Sequence, residues 1–392
     1  MSAMTQLYYR FSGNVEAALD TPYWLIKVVL VSAGLTLFLS CPPYTLVVNH
    51  LNGHFLDAWT FIDIQSHSLL HPHGIDLDVR RENMVFRWTL PVLYWLTGRH
   101  LLVMLGLQFL IGLGFLYLAG RMAYKITEDK LSATFFTVAI AHIFVGVWQF
   151  ADIHGYGDGV AYFFLLLAML SRNYAVIAIS LLVVCFTDER AVISVGFALF
   201  WWLMDSACRK NEFGLPEMIR QLATPRYLIA FLVLGAYFIS RYYVINTYFS
   251  DHHYSTIGHL MYFEPSHKNG LGGSFWRSFE GLWILALAAM AILWTTDRRI
   301  LFGMAFICFL VMLGSELLVH DMDRTLSYGF PMFFVSLLVV KQASSTKHLR
   351  IFLFLIMIIC VSHPQLFYMG YNKILWLEPL PLKLFHLFYE GA

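Results

Sequence analysis

Charge is scarce in this chain. Asp, Glu, Lys and Arg make up 13% of its 392 residues, against about 25% in soluble domains. The length alone would suit two or three soluble domains, but a chain this poor in charge cannot clothe them. The formal net charge is +1, so there is no basic surface for nucleic acid. Cysteine is sparse too: Cys41, Cys185, Cys208, Cys308 and Cys360 are scattered, mostly inside apolar runs. They form neither CxxC nor a zinc-ligand spacing, and they read as small buried hydrophobes. HExxH is missing, and the glycines of NGLGGS at 269–274 do not make a phosphate-cradling Walker loop. There is no internal repeat and no low-complexity tract. No small-residue cleavage site follows the first apolar run, which therefore reads as a retained helix rather than a signal peptide.

What the chain has instead is apolar surface, 59% of its residues. A crossing needs about 20 apolar residues for a hydrocarbon core of about 30 Å. Blocks near that length lie at 24–48, 100–120, 131–150, 227–246, 300–318 and 351–369, and shorter ones at 158–171, 174–186, 191–204, 281–296 and 326–340. The expectation is an all-α polytopic membrane protein of about eleven spans, with residues 1–392 as one transmembrane domain.

Lys and Arg set the orientation. With Arg10 in the cytoplasm, the basic loops 121–130, 171–173, 205–226, 297–299 and 341–350 share that side. The opposite side receives 49–99, 151–158, 187–190, 247–280, 319–324 and the C-terminal tail. That choice, made from basic residues alone, collects Asp57, Asp152, Asp158, Asp188, Glu189, Asp321 and Asp323 on one face. Ionised groups beside lipid must be paired or face water, so these turns are expected to line one aqueous hollow. The bland alternative is a set of solvated helix ends.

The first long polar interval, 49–99, opens with Asp57 directly after a hydrophobic block and also carries Asp63, Arg80, Arg81 and Arg87. Its last part, MVFRWTLPVLYWLTG, is apolar but too short to cross; Trp88, Tyr94 and Trp95 suit an interfacial helix. The second long interval, 247–280, reads as a binding loop or lid.

The segments FLDAWTFI, HGYGDGVAYFFLLLAML, CFTDERAVISVGFALFWW and HDMDRTLSYGFPMFF together resemble integral-membrane glycosyltransferases of the GT-C class. There an acidic residue follows the first span, a lone Asp opens a short helix, and a late Asp-Arg turn precedes a Pro-containing helix. The resemblance covers about residues 20 to 340 and implies a GT-C-like fold. It also implies an inverting sugar transfer from a polyprenyl-phosphate donor, at a site on the non-cytoplasmic face. Such a transfer needs one base for the acceptor hydroxyl. Asp57 is the candidate, since a membrane-boundary site raises a carboxyl towards neutrality; its other reading is a helix terminator. A departing lipid phosphate needs cations, and Arg suits it through its planar fork. Arg80, Arg81, Arg87, Arg190, Arg277 and Arg324 lie on the expected face, although Arg190 and Arg324 are flanked by carboxylates and could simply hold turns. Asp63, Asp152, Asp158, Asp188, Glu189 and Asp323 are candidates to bind sugar hydroxyls or orient those arginines.

No cofactor is expected and a dedicated metal site is not favoured: HPH at 71–73 and DHH at 251–253 are ligand types without a ligand pattern. The implied partners are a lipid-linked sugar donor, membrane lipids, and a glycan, lipid or protein acceptor. A bacterial inner membrane, with the site facing the periplasm or exterior, is the implied location. A transporter or flippase of a lipid-linked saccharide or an ion is the competing reading, and a non-catalytic scaffold a third.

Overall fold

A computed structural model describes residues 3–51, 57–70, 83–210, 213–248, 265–296, 298–316, 321–368 and 374–389. Arg80, Arg81, the histidines of 71–73 and 251–253, and the side chain of Asp57 lie outside the described residues.

Within these bounds the chain is α-helical apart from one antiparallel hairpin, Leu366–Tyr368 with Ile374–Trp376. Three helices are long and apolar enough to cross a membrane: Leu101–Thr127, Glu189–Lys210 and Pro225–Tyr248. Counting each of two sharply bent helix pairs as one span raises the number to five. The eleven expected blocks therefore do not all become full-length helices. Asp158–Leu170, Tyr174–Cys185 and Pro331–Ala343 have 12 or 13 residues, about 18–20 Å at 1.5 Å per residue. Pro225–Tyr248 is apolar, yet only 22% of its most apolar window is buried. Leu228, Leu232, Phe238 and Ile239 point outwards, a surface made for hydrocarbon rather than water.

The breaks have identifiable chemistry. The 24–48 block ends its helix at Leu39, before Pro42 and Pro43, and resumes as Tyr44–Leu51, because a proline cannot continue the ladder. The free Cys41 N–H donates to Glu378 O at 2.9 Å, and Lys383 Nζ donates to Pro42 O at 2.8 Å, so the C-terminal helix Leu380–Tyr389 and the residues just before it satisfy the broken end. The 131–150 block splits into Lys130–Ala141 and Phe144–Ala151, bent by 61°. Thr36 Oγ1 donates to Ala141 O at 3.0 Å and Gln365 Nε2 to His142 O at 2.8 Å, pairing carbonyls that the break releases. Gly146 sits so close to the Ile140 carbonyl and Ala141 backbone that no Cβ fits.

Two expectations need correction. The 247–280 interval is not all loop: Pro265–Phe279 is a helix running through Gly272 and Gly273, and it meets Leu282–Thr295 at a 90° corner. The 351–369 block is helical only to Ser362, after which His363-Pro364 leads into the hairpin. The apolar stretch that is too short to cross forms a short helix, Thr89–Leu96.

Charged turns gather at two ends of the bundle. At one end Arg350 binds Asp129 at 2.6 Å and Glu16 at 3.1 Å, Lys125 lies 3.6 Å from Asp205, and Arg298 donates to Gln342 at 2.6 Å. These contacts join turns that the basic residues had grouped as cytoplasmic. Between the two ends lies an aromatic core in which Phe115, Phe136, Tyr162, Phe330, Phe333 and Phe334 are fully buried.

Candidate functional site

At the opposite end, four separate turns contribute to one ion network. The first is 152–157. Asp152 caps the Phe144–Ala151 helix and folds back, its carboxylate accepting from Tyr156 N at 3.2 Å and Gly157 N at 2.7 Å. Gly157 has φ +79°, and a Cβ there would lie 2.7 Å from Leu90 Cδ1, so both backbone and space call for glycine. Gln108 Nε2 holds the Asp152 carbonyl at 2.8 Å, and Trp59 Nε1 holds that of Ile153 at 2.7 Å. Trp59 belongs to the helix Asp57–His67, so the helix that opens with Asp57 is docked on this turn.

The tightened turn delivers Asp158 to the first position of its helix, where the helix dipole favours a carboxylate. Asp158 accepts a forked pair from Arg324, Nε to Oδ2 at 2.7 Å and Nη2 to Oδ1 at 3.1 Å, and a third bond from Tyr328 Oη at 2.7 Å. The third Arg324 nitrogen, Nη1, donates to Asp321 Oδ2 at 2.8 Å, and the guanidinium lies 4.0 Å from the Tyr156 ring centroid. Asp188 immediately precedes the helix Glu189–Lys210. Its Oδ1 accepts from the Arg190 backbone N–H at 2.9 Å and from Nε at 2.7 Å, while Oδ2 takes Nη2 at 2.7 Å. Arg87 Nη1 and Arg324 Nη2 also approach Asp188 Oδ2, at 3.2 and 3.6 Å. Arg87 then forks onto Glu189 at 2.7 and 3.1 Å, and Trp88, stacked on Phe186 with centroids 4.6 Å apart, fixes the strand of chain that carries it.

Three arginines thus face four carboxylates, an excess of one negative charge. Burial grades across the cluster: Asp158 and Asp188 are sealed and Arg324 is 1% exposed, whereas Asp321 and Glu189 reach 30% and 34%. Burial alone would raise the Asp188 carboxyl, but Arg190 and then Arg87 hold it well below the usual carboxylate range. For Asp152, burial, reinforced by Asp158, outweighs its backbone hydrogen bonds and the more distant Arg324 and pushes it up to about 6. A cavity of about 10 Å³, lined by Phe61, Ile62, Gln65, Arg87 and Tyr156 among others, separates the Asp57–His67 helix from the network. That is room for roughly one water.

Of the residues singled out from the sequence, Arg87, Asp158, Asp188, Glu189, Arg190 and Arg324 are joined in this network, and Asp152 builds the turn beside it. Asp323 is buried on the short helix Met322–Ser327, with Arg277 Nε 3.8 Å from its Oδ2. Asp63 is half-buried on the Asp57–His67 helix and makes no ion pair among the described residues. Tyr156, Tyr328 and the hub role of Asp321 were not foreseen. Tyr328 lies four residues after Arg324, one helical turn, which was the available signal. Among the described residues, no three His, Cys, Asp or Glu side chains converge as a metal-holding group. Compared with known families, curated proteins and solved structures, the chain matches none.

Proposed function

We propose that this chain is an inverting glycosyltransferase that moves a sugar from a polyprenyl-phosphate donor to an acceptor on the non-cytoplasmic face of a bacterial inner membrane, through a GT-C-like bundle of about eleven crossings. The observation that carries the reading is the convergence of four charged turns into one network with a sealed centre and a half-exposed rim. Asp57 is the base. It starts the helix that leans on the 152–157 turn, so its backbone is tied to the same end of the bundle. Arg87 is the phosphate contact. It is the arginine nearest the rim, and its forked partner Glu189 is the most exposed carboxylate of the network; a lipid phosphate would replace one anion by another. Arg324 and Arg190 are saturated by buried carboxylates and act as positioning residues. The cavity beside Arg87 is too small for a sugar, so donor binding requires the Asp57–His67 helix to move away from Tyr156.

The test is release of polyprenyl phosphate from labelled polyprenyl-phosphate sugars by the protein in lipid vesicles, with a membrane extract as acceptor. Asp57→Asn should abolish release while the protein folds. Arg87→Ala should raise the donor KM by about ten- to a hundredfold, the value of a charge-assisted bond. Wild-type turnover in Asp57→Asn removes the base. The competing reading, a transporter or flippase of a lipid-linked saccharide or ion, draws on the broken helices at His142 and Glu280, a feature of transporter sites. Movement of the donor across the vesicle without sugar transfer would favour it.

A further inference from the structure

The corner between Pro265–Phe279 and Leu282–Thr295 is occupied by Glu280, which lies outside the network described above. Its φ is +47°, a left-handed conformation that costs a non-glycine residue roughly 1–2 kcal/mol. Its N–H bonds Trp276 O at 2.7 Å, closing the helix as a left-handed cap. On backbone grounds alone this is a glycine position. Glu280 is also 1% exposed. Neither carboxylate oxygen has a well-formed hydrogen bond among the described residues. His363 Nδ1 lies 3.1 Å from Oε1, and it has no other partner among the described residues. The imidazole reaches the surface, with 21% of its side chain exposed.

Among the described residues, no Lys or Arg pairs with Glu280. Arg277, one turn earlier on the same helix, is directed to Asp323 on Met322–Ser327. Cys360, on the helix that ends at Ser362, packs on Gly281, where a Cβ would lie 3.2 Å from its Sγ. Phe333 of Pro331–Ala343 packs tilted against Phe279 with centroids 4.5 Å apart; Lys341 of that helix is two turns further on. The facing residues of Phe144–Ala151 are uncharged. A buried carboxylate with the imidazole as its one neighbouring donor among the described residues is too costly to stay ionised alone, and that imidazole is also the way to water.

We infer that Glu280 and His363 together form a proton-binding site that holds one proton between carboxyl and imidazole and releases it to solvent through His363. With the proton the pair is neutral and the corner closes; without it a bare negative charge sits in a strained, dry corner, so loss of the proton favours opening of the bend. The folded pair binds its proton more tightly than either group does in the unfolded chain. Its contribution to stability is therefore fully present between about 4.3 and 6.5, the unfolded glutamate and histidine values, and is lost as pH rises from there through the folded pair's own higher value.

The experiment follows the denaturation midpoint of the full chain in detergent from acid to alkaline pH. The wild-type midpoint should fall as pH rises past about 6.5, with a slope of up to one proton per molecule. Both Glu280→Gln and His363→Gln should flatten that slope. Glu280→Gly, which also relieves the backbone, should fold and show the same flat profile. A wild-type slope retained in the variants, or no slope in the wild type, overturns the assignment. Neither outcome touches the sugar-transfer reading, whose assay does not involve these residues.

Discussion

Asp188→Asn isolates what the network contributes to the fold. The substitution keeps shape and removes one buried negative charge on which three arginines converge, at 2.7, 3.2 and 3.6 Å. Arg87 retains Glu189, and Arg324 retains Asp158 and Asp321. Arg190 is stranded: its next carboxylate oxygen is 3.9 Å away, on Asp321, and it is only 9% exposed. Breaking a buried pair by removing one partner costs about 3–5 kcal/mol, a large part of the roughly 5–15 kcal/mol that holds a domain together. The rim supplies the control. Glu189→Gln removes a carboxylate that is 34% exposed, and solvent screening limits its cost to about 1 kcal/mol or less. Reversible unfolding in mixed micelles would read both. The double variant Asp188→Asn/Arg190→Met should recover part of the loss, because the stranded cation goes with its partner. If Asp188→Asn falls within about 1 kcal/mol of wild type, or Glu189→Gln is equally harmful, the graded burial does not set the energetics.

Asp152 makes a prediction of opposite sign. A carboxyl raised to about 6 in the fold, against about 3.9 unfolded, stabilises most fully below the unfolded value and loses that contribution as pH rises through about 6. Stability should therefore decline between about pH 4 and 6 with a component that Asp152→Asn removes, read as a change in slope rather than level; an unchanged slope would put Asp152 ionised throughout. Gly157→Ala should destabilise by about 1–3 kcal/mol through the left-handed backbone and the contact with Leu90, and should lower sugar release by shifting Asp158. A fully active, fully stable Gly157→Ala would show the turn to be plastic.

Much of the charged end was legible in the sequence because its signals are local. Lys and Arg sorted the turns into two groups, and the contacts of Asp129 with Arg350 and of Asp158 with Arg324 join turns within each group, not across them. What was not legible depends on helical phase and on bends. In HDMDR either Asp could face Arg324. The helix starts at Met322, which leaves Asp321 as its cap, one turn before Arg324, and turns Asp323 to Arg277. Hydropathy runs straight across His142 and cannot report a 61° bend, because the residues on both sides are equally apolar. The Pro265–Phe279 helix was read as loop from its glycines, a reasonable weighting of intrinsic propensity that tertiary packing overrides; Gly273 lies under the Arg277 guanidinium, 2.7 Å from a Cβ built there.

The network is not where stability alone would put these residues. Apolar side chains of the same volume in place of Asp158, Asp188 and Arg324 would pack as well and cost no desolvation; replacements of that kind are often neutral or stabilising. Here the charged set is sealed at one end of an otherwise aromatic core, with its turn held by Asp152, Gln108 and Trp59 and its outer members left half in water. Such an arrangement keeps Arg87 pointing along one direction while leaving one of its anions exchangeable. That is what recognition of an incoming anion needs, and what a purely structural tie does not. Arg87 and Arg324 should therefore separate in experiment. Replacing the saturated Arg324 by Ala should unfold or strongly destabilise the bundle before it changes donor affinity, whereas replacing Arg87 should change donor affinity first. Should the two substitutions act alike in both assays, the network is one structural unit and its rim is not a binding edge.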